Sequence, residues 1–468
     1  MNGTLEPQAA RPARARAWIP VVAWAALAIG FFSAAYAAFP PAIVGYLFAM
    51  AQLARVARGR AAYYSGLGVG LAIGAAWLTF FFTVFSFGAS ALWYVYAFWL
   101  GAFVALAGAV LRRWGNRGWW LVPVLWCGLE YFRSELYYLR FSWLNAAYAF
   151  GGVPGKLGMY GFGFLLMAGA SLAAWLWPRQ RAASLGTLAL TGLAAVGLPL
   201  IPFTEPAGRT VRVTGVQMEA PTEPEVIVRL TEALRRHPET ELLVLSEYTF
   251  HGPVPEPVKS WCARNHRYLI AGGEAPAPRG KYRNTSFVVD PEGKVVFQQA
   301  KSVPIQFFAD GLPAQEQQVW NSPWGRIGIC ICYDLSYRRV TDRLVRLGAE
   351  ALIVPTMDVA DWGRRQHEMH ARVAPVRAAE YGIPIFRVAS SGISQHVDGY
   401  GRVLATAPFP GQGSILTARL NLFGPGHLPV DTWLAPACSL ATLVTALWIG
   451  SERLRRRFGR HPGPGGAP

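Results

Sequence analysis

The stretch GRIGICICYDLSYRR, residues 325–339, decides how the rest of the chain is read. Its β-branched run predicts a strand, whose two-residue period puts Cys330 and Cys332 on one face with Ile331 opposite. Cys332 falls at the end of that strand and is followed at once by Tyr333 and Asp334. A thiol at a strand mouth is held rigidly and reached from solvent, as a nucleophile requires. Working outward, ELLVLSEYTF ends a second apolar strand in Glu247, and FQQAKSVP ends a third in Lys301. A carboxylate, an ammonium and a thiol, each just past a strand, supply a base, a cation and a nucleophile. Cys330 is the rival nucleophile, but it sits earlier in the strand and lacks the Tyr-Asp sequel.

The 468 residues leave room for more than one folding unit. With 53% hydrophobic residues, 18 Trp and only 15% charged residues, part of the chain has a membrane composition. A net charge of +17 raises the question of nucleic acid, and the positions of the charges answer it. Arginines flank apolar segments at 11–16, 55–60, 112–117, 179–181 and 453–460, and there is no phosphate loop and no nucleic-acid module. The apolar segments run about 18–39, 41–54, 62–88, 91–111, 118–132, 157–177, 184–203 and 432–450. Most approach the roughly 20 residues that span a bilayer. Alternate connections carry the arginines, whereas those at 39–40 and 88–90 carry no charge. The positive-inside rule then predicts about eight crossings with both termini in the cytoplasm. The predicted order is an amino-terminal tail (1–17), a membrane domain of about seven helices (18–203), an outward-facing insertion (204–431), a final crossing (432–450) and a basic tail (451–468). A cleavable signal peptide is the competing reading of the first segment, but an uncleaved helix keeps every arginine loop inside. The five cysteines form no disulfide framework.

Within the insertion, strands and helices alternate with hairpins. VRVTGVQM, LLVLSEY, YLIAGGE, IGICICYD, ALIVPTM and IFRVASSG read as strands, and TSFVVDPEGKVVFQQAK as a hairpin turning at PEG. Helices are predicted at EVIVRLTEALRRHP and VKSWCARNHR, and near 340–347 and 366–381. QHVDGYGRVLA reads as a closing pair of strands. This order predicts an α/β sandwich whose sheets are covered by helices.

The order Glu, Lys, Cys with these flanks resembles the nitrilase, or carbon-nitrogen hydrolase, superfamily, whose α-β-β-α sandwich fits. The membrane half narrows the resemblance to bacterial apolipoprotein N-acyltransferases. Their Trp-x-x-x-Glu-x-x-Arg helix and following aromatic loop match Trp126, Glu130, Arg133, Trp143 and Tyr148. His370, Arg377, Glu380, Arg387 and Gly392 match a later stretch of that family. Departures are visible too. The family's His-Leu-Val-Pro-Phe-Gly-Glu run after the lysine is replaced by KSVPIQFFADG. Its second glutamate has no aligned counterpart, with Gln306 and Asp310 nearby. Glu219, Ser246 and Asp334 stand where the family has Asn, Pro and Glu.

The resemblance implies a multi-pass enzyme of the bacterial inner membrane with its catalytic domain on the periplasmic side, working as a monomer without cofactor or metal. It would move an acyl chain from a phospholipid, through a thioester on Cys332, to the amino terminus of a diacylglyceryl-cysteine lipoprotein. Glu247 is then the base and Lys301 the oxyanion partner. Tyr333, Asp334 (orienting Lys301), Trp362, Arg387, Glu130, Arg133 and Trp143 are secondary candidates. Trp362 reads either as shaping a lipid entrance or as an interfacial anchor, and Glu130 with Arg133 either as a mutual pair or as a headgroup contact. His367 and His370, three apart on a helix, lack companions with zinc-like spacing, which favours packing or hydrogen bonding. The alternative reading is a membrane-tethered nitrilase-type amidase using the same residues with water as acceptor. A non-enzymatic binding module is disfavoured by the intact set.

Overall fold

The computed structural model describes residues 10–152, 155–198 and 206–458. The predicted tails up to residue 9 and beyond 458, and the predicted entry to the insertion at 199–205, lie outside the described residues. Before the first strand come α1 (Ala10–Ala37), α2 (Ala42–Val56), α3 (Arg60–Trp77), α4 (Phe80–Phe85), α5 (Gly88–Trp114), α6 (Leu121–Tyr131), α7 (Gly158–Leu176) and α8 (Arg181–Gly197). Among the described residues four helical stretches are long and apolar enough to cross a membrane: Trp18–Ala37, Gly88–Trp114, Gly158–Leu176 and Asp431–Glu452. Helices α2 and α8 are apolar but shorter, at 15 and 17 residues. The predicted third segment, 62–88, is divided: α3 stops at Trp77, and α4 is a separate six-residue turn before α5. The predicted fifth is also short, 11 residues of α6 running into a π-helical turn at Phe132–Leu136.

Close packing of α3 on α5 rests on small residues. A Cβ on Gly70 would lie 2.4 Å from the Cα of Ala97, and one on Gly66 would lie 2.5 Å from the carbonyl oxygen of Leu100. Four residues apart, these glycines share a helix face and let the backbones approach, the means by which helices associate in lipid.

The remainder builds an α/β unit. Its first half is β1 (Arg209–Val216), α9 (Glu223–Arg236), β2 (Leu242–Leu245), α10 (Glu256–Asn265), β3 (Tyr268–Ala277), β4 (Lys281–Val289) and β5 (Val295–Ala300). Its second half is β6 (Val319–Ser322), β7 (Gly325–Ile329), α11 (Arg338–Arg346), β8 (Ala351–Thr356), α12 (Arg364–Ala371), α13 (Val373–Tyr381), β9 (Ile385–Ala389), β10 (Gln395–Val397), β11 (Val403–Thr406) and β12 (Ile415–Leu422). The chain then enters α14 (Asp431–Phe458). Two six-stranded sheets result, ordered β12-β1-β2-β3-β4-β5 and β11-β10-β9-β8-β7-β6. In each, three parallel strands are flanked by antiparallel ones.

Strand alternation sorts the side chains into layers. Leu242 and Val244 of β2 face Ala351 and Ile353 of β8 between the sheets. Leu243 and Leu245 face outward onto Val226, Leu230 and Trp261 of α9 and α10. Leu352 and Val354 join Val373 and Val376 of α13 in a core continuous with the membrane helices. Strands buried on both faces read as unbroken apolar runs, which is why LLVL and ALIV stand out in the sequence. Helix α9 starts at Glu223, two residues before the predicted 225, because Thr222 and Glu225 close a capping box.

The hairpin expected at 285–301 forms as β4 and β5, with β4 starting earlier, at Lys281, and β3 also pairs antiparallel with β4 along its length. Strands β6 and β12 had no sequence prediction. The single helix expected at 366–381 is two, broken at Arg372, and Pro375 sits in the first turn of α13, where its missing N–H costs nothing.

Candidate active site

Glu247, Lys301 and Cys332 come together at one end of the sandwich, though not by the strand argument alone. Strand β7 ends at Ile329, so Cys332 is not on it. It opens a 3-10 turn, Cys332–Ser336, with a backbone φ of +52°, a left-handed conformation that costs a non-glycine residue energy. The turn separates the two thiols. Cys330 packs in the apolar core beside Leu335 and Val354, while Cys332 faces Glu247, Lys301 and Asp358. The shared face expected for the two cysteines is therefore corrected: the chain leaves extended geometry before reaching Cys332.

Glu247 lies two residues past β2, only 3% exposed. Its Oε1 accepts hydrogen bonds from Lys301 Nζ at 2.8 Å and Asn284 Nδ2 at 2.6 Å. Its Oε2 accepts from the backbone N–H of Met357 at 2.7 Å. Gly272 of β3 makes room for this strand end, since a Cβ there would lie 2.6 Å from the Cα of Glu247. Lys301 follows β5 and is 1% exposed. Burial opposes its charge, but Glu247 and Asp310 outweigh burial and hold the ammonium well above the ordinary lysine value.

The sequence left open whether a carboxylate stands in for the unaligned glutamate, and the structure places Asp310 against Lys301. Its Oδ2 lies 2.7 Å from Lys301 Nζ and accepts from the N–H of Ile305, and its Oδ1 accepts from Asn284 Nδ2 at 2.8 Å and Tyr248 Oη at 2.9 Å. The 302–310 loop passes through a positive φ of +70° at Phe307 and returns Asp310 to Lys301, nine residues earlier in the chain. Burial works to raise the Asp310 carboxyl, and Lys301 overrides it, leaving it below the usual carboxylate value. Gln306 instead donates to the carbonyl of Tyr138.

The Cys332 thiol is pushed up well above the ordinary value, first by burial and then by the Glu247 carboxylate. Burial and the neighbouring carboxylate therefore favour the neutral thiol over the thiolate. Its Sγ lies 3.7 Å from the carbonyl oxygen of Met357, so one residue contacts both Glu247 and Cys332.

The secondary candidates fall into three groups. Asp334 does not bond Lys301. It accepts backbone N–H groups of Ser302, Val303 and Ile331 at 2.7–3.2 Å, tying the strand end after Lys301 to the turn of Cys332. Burial pushes its carboxyl up to about 6 against the pull of those amides. Arg387 is fully buried away from the thiol, bonded to Asp358 and the carbonyl of Ile393. Asp358 also meets His370 Nδ1 at 2.8 Å and Gln366 Nε2 at 3.0 Å. Burial opposes the charge on Asp358, and His370 and Arg387 hold its carboxyl well below the usual range.

Tyr333, Trp143, Arg133 and Trp362 line one largely apolar cavity. Phe80, Phe81 and Phe85 from the membrane half close its other side. Trp143 stacks on His370 at 4.7 Å and donates Nε1–H to Ser336 Oγ at 3.0 Å, so the aromatic loop reaches the turn of Cys332. Glu130 and Arg133 do not bond each other. Glu130 accepts the N–H of Ala146 at 3.1 Å, and Arg133 donates to the carbonyl of Phe141 at 2.6 Å and to Asn145. Each is satisfied by the 141–146 loop, which is how buried charges persist at a helix end. Arg377 of α13 donates to the carbonyls of Leu335 at 3.1 Å and Ser336 at 2.8 Å, bracing the same turn. Asn284, Tyr248 and Met357 were missed because each is polar or unremarkable in sequence and acquires its place only through sheet pairing.

The carbon-nitrogen hydrolase family matches residues 231–423. The apolipoprotein N-acyltransferase of Nitrosomonas europaea is 26% identical over 354 residues, 65% of this chain and 70% of the relative. That of Methylococcus capsulatus is 26% identical over 461 residues, 86% of this chain and 88% of the relative. A carbon-nitrogen hydrolase from Helicobacter pylori G27, known as a crystal structure, is 20% identical with a TM-score of 0.40, covering 46% of this chain and 90% of that one. The chain is thus similar to apolipoprotein N-acyltransferases beyond its hydrolase-like segment.

Proposed function

We propose, from a chain similar over most of its length to apolipoprotein N-acyltransferases, that this protein moves an acyl chain from a phospholipid to the amino terminus of a diacylated lipoprotein. The observation that carries the reading is the apolar cavity, shared by the membrane helices and the catalytic turn, with Tyr333 in its wall next to Cys332 in the chain. A soluble amide has no use for such a wall, whereas an acyl chain buries about 0.8 kcal/mol for each methylene placed there.

The chemistry follows from the geometry. Glu247 takes the proton of Cys332, and the thiolate attacks an ester carbonyl of the phospholipid. Lys301 and backbone N–H groups stabilise the oxyanion. Its collapse breaks the C–O bond, and Glu247 returns the proton to the departing lysophospholipid, leaving a thioester. The lipoprotein amine then attacks the thioester, Glu247 accepts the amine proton, and Cys332 leaves as the thiol when an amide has formed. Asp310 and Asn284 fix Lys301 and Glu247, and Asp334 and Arg377 fix the turn. In the proposed topology about eight segments cross the inner membrane with both termini inside, placing residues 204–431 on the periplasmic side. The shorter helices α2, α6 and α8 count among the crossings.

Incubating the protein with phospholipid alone should leave an acyl group on Cys332 that persists, because an acyl chain seated in the apolar cavity disfavours water beside the thioester. A diacylated lipopeptide with a free amino terminus should discharge it, and an amino-blocked one should not. Rapid release of fatty acid without acceptor favours a membrane-tethered hydrolase instead.

A further inference from the structure

Two arginines beside the cavity have no role in the chemistry above. Arg140 lines the cavity, and its guanidinium lies 5.2 Å from the ring centroid of Tyr337. Arg339 approaches the same ring at 5.9 Å. Neither meets a carboxylate within ion-pair distance among the described residues, and the Nε of Arg140 is buried without a partner. The neighbouring charges are already engaged: Glu135 accepts the N–H of Arg338 and the hydroxyl of Tyr160, and Arg338 pairs with Asp431. Arg339 also stands in the first turn of α11, which holds no acidic residue and where the positive end of a helix disfavours a cation. Burial, and after it Arg140, push the Arg339 guanidinium below its ordinary value, consistent with two like charges held close together.

The backbone links this pair to the nucleophile. The carbonyl of Arg140 accepts hydrogen bonds from the hydroxyls of Tyr333 at 3.2 Å and Tyr337 at 3.4 Å. Tyr333 follows Cys332 directly. We propose that Arg140, which lines the cavity, and Arg339, both set around Tyr337, whose ring lies 4.9 Å from that of the cavity-lining Tyr333, form the binding site for the phosphate of a diacyl phospholipid. Planar guanidinium forks match phosphate oxygens, and the repulsion between two guanidinium groups gathered at one ring is relieved by an anion. In such a lipid only glycerol carbons separate the phosphate from the ester carbonyl. A phosphate held against Tyr333 therefore brings an ester toward Cys332 with its chain in the apolar cavity. The site deepens the acyltransferase reading and rests on it for the identity of the lipid as donor.

The test measures binding without turnover. Full-length protein carrying Cys332→Ser, in detergent micelles, is titrated by native mass spectrometry with dioleoyl phosphatidylglycerol, dioleoylglycerol or inorganic phosphate. The phospholipid should bind at least about ten-fold more tightly than the neutral diacylglycerol, the scale of one charge-assisted contact. Arg140→Gln with Arg339→Gln should abolish that preference and leave diacylglycerol binding unchanged. Retention of the preference in the double variant overturns the proposal, as does equal binding of both lipids to the parent. Inorganic phosphate binding as tightly as the phospholipid assigns the site to a free anion and overturns the lipid assignment. If the double variant fails to fold, Arg339→Gln alone, at an exposed side chain, carries the comparison. Failure of the acyltransferase reading is seen separately, as absence of acyl-Cys332 in the protein with its native cysteine.

Discussion

Replacing Asp310 with Asn tests whether the structure has found the second carboxylate. The substitution keeps the shape and leaves an oxygen for Tyr248, but removes the charge 2.7 Å from Lys301 Nζ in a site where the two side chains are 5% and 1% exposed. Removing one partner of a buried pair costs roughly 3–5 kcal/mol when the other charge is left uncompensated. Lys301 still meets Glu247 at 2.8 Å, so the lower end, about 3 kcal/mol, applies. Lys301 then draws on Glu247 alone, and the base becomes less ready to take the thiol proton. At 1.36 kcal/mol per decade, the first-turnover rate of acyl-Cys332 formation should fall about a hundredfold. The assay is rapid quench of detergent-solubilised protein with a radiolabelled phospholipid, the thioester being read on denaturing gels. The pH dependence has a definite sign. The carboxyl of Asp310 is depressed in the folded protein, so its stabilising contribution is complete above its unfolded value of about 4 and is lost as pH falls through the lower native value. In the Asn variant that part of the acid sensitivity disappears. A variant acylated within about threefold of the parent rate refutes the reasoning, since so small a change is under 1 kcal/mol.

Other outcomes follow from the same geometry. Cys332→Ala should abolish acyl-enzyme formation while Cys330→Ala, in the apolar core, keeps most of it; an acyl group mapped to Cys330 by mass spectrometry reverses the assignment. Gly70→Val should sharply reduce the yield of folded protein, because a Cβ lies 2.4 Å from Ala97 Cα, whereas Gly68→Ala, with nothing within 4 Å, should not. Comparable gel-filtration profiles for the two would contradict the α3–α5 contact. Reporter fusions near residues 58, 115 and 180 should read as cytoplasmic and fusions within 204–431 as periplasmic, and a cytoplasmic signal from the latter overturns the proposed topology.

Much of the sandwich was legible because its central strands are buried on both faces and appear as short apolar runs ending in chemically distinctive residues. LLVL before Glu247 and GRIGI before the cysteines are such runs, and the capping box at Thr222 and the turn at PEG are equally local signals. Strand β12 was not, since its partner β1 lies some two hundred residues earlier and its own pattern is half exposed. The break between α12 and α13 depended on Pro375, a residue a helix tolerates in its first turn and so marks ambiguously.

By itself the sequence determined which residues to nominate for the chemistry, namely a carboxylate, an ammonium and a thiol, together with aromatic apolar segments, since side-chain type and strand ends are local properties. Tertiary structure decided how they are held. Cys332 points at Glu247 because the chain turns through a positive φ after β7, a conformation no alternation pattern encodes. Asp310 reaches Lys301 because a loop folds back across the sheet, bringing together groups whose separation along the chain says nothing about their distance. The cavity wall likewise exists only where helices from one half meet loops from the other, because packing, unlike propensity, is a relation between residues distant in sequence.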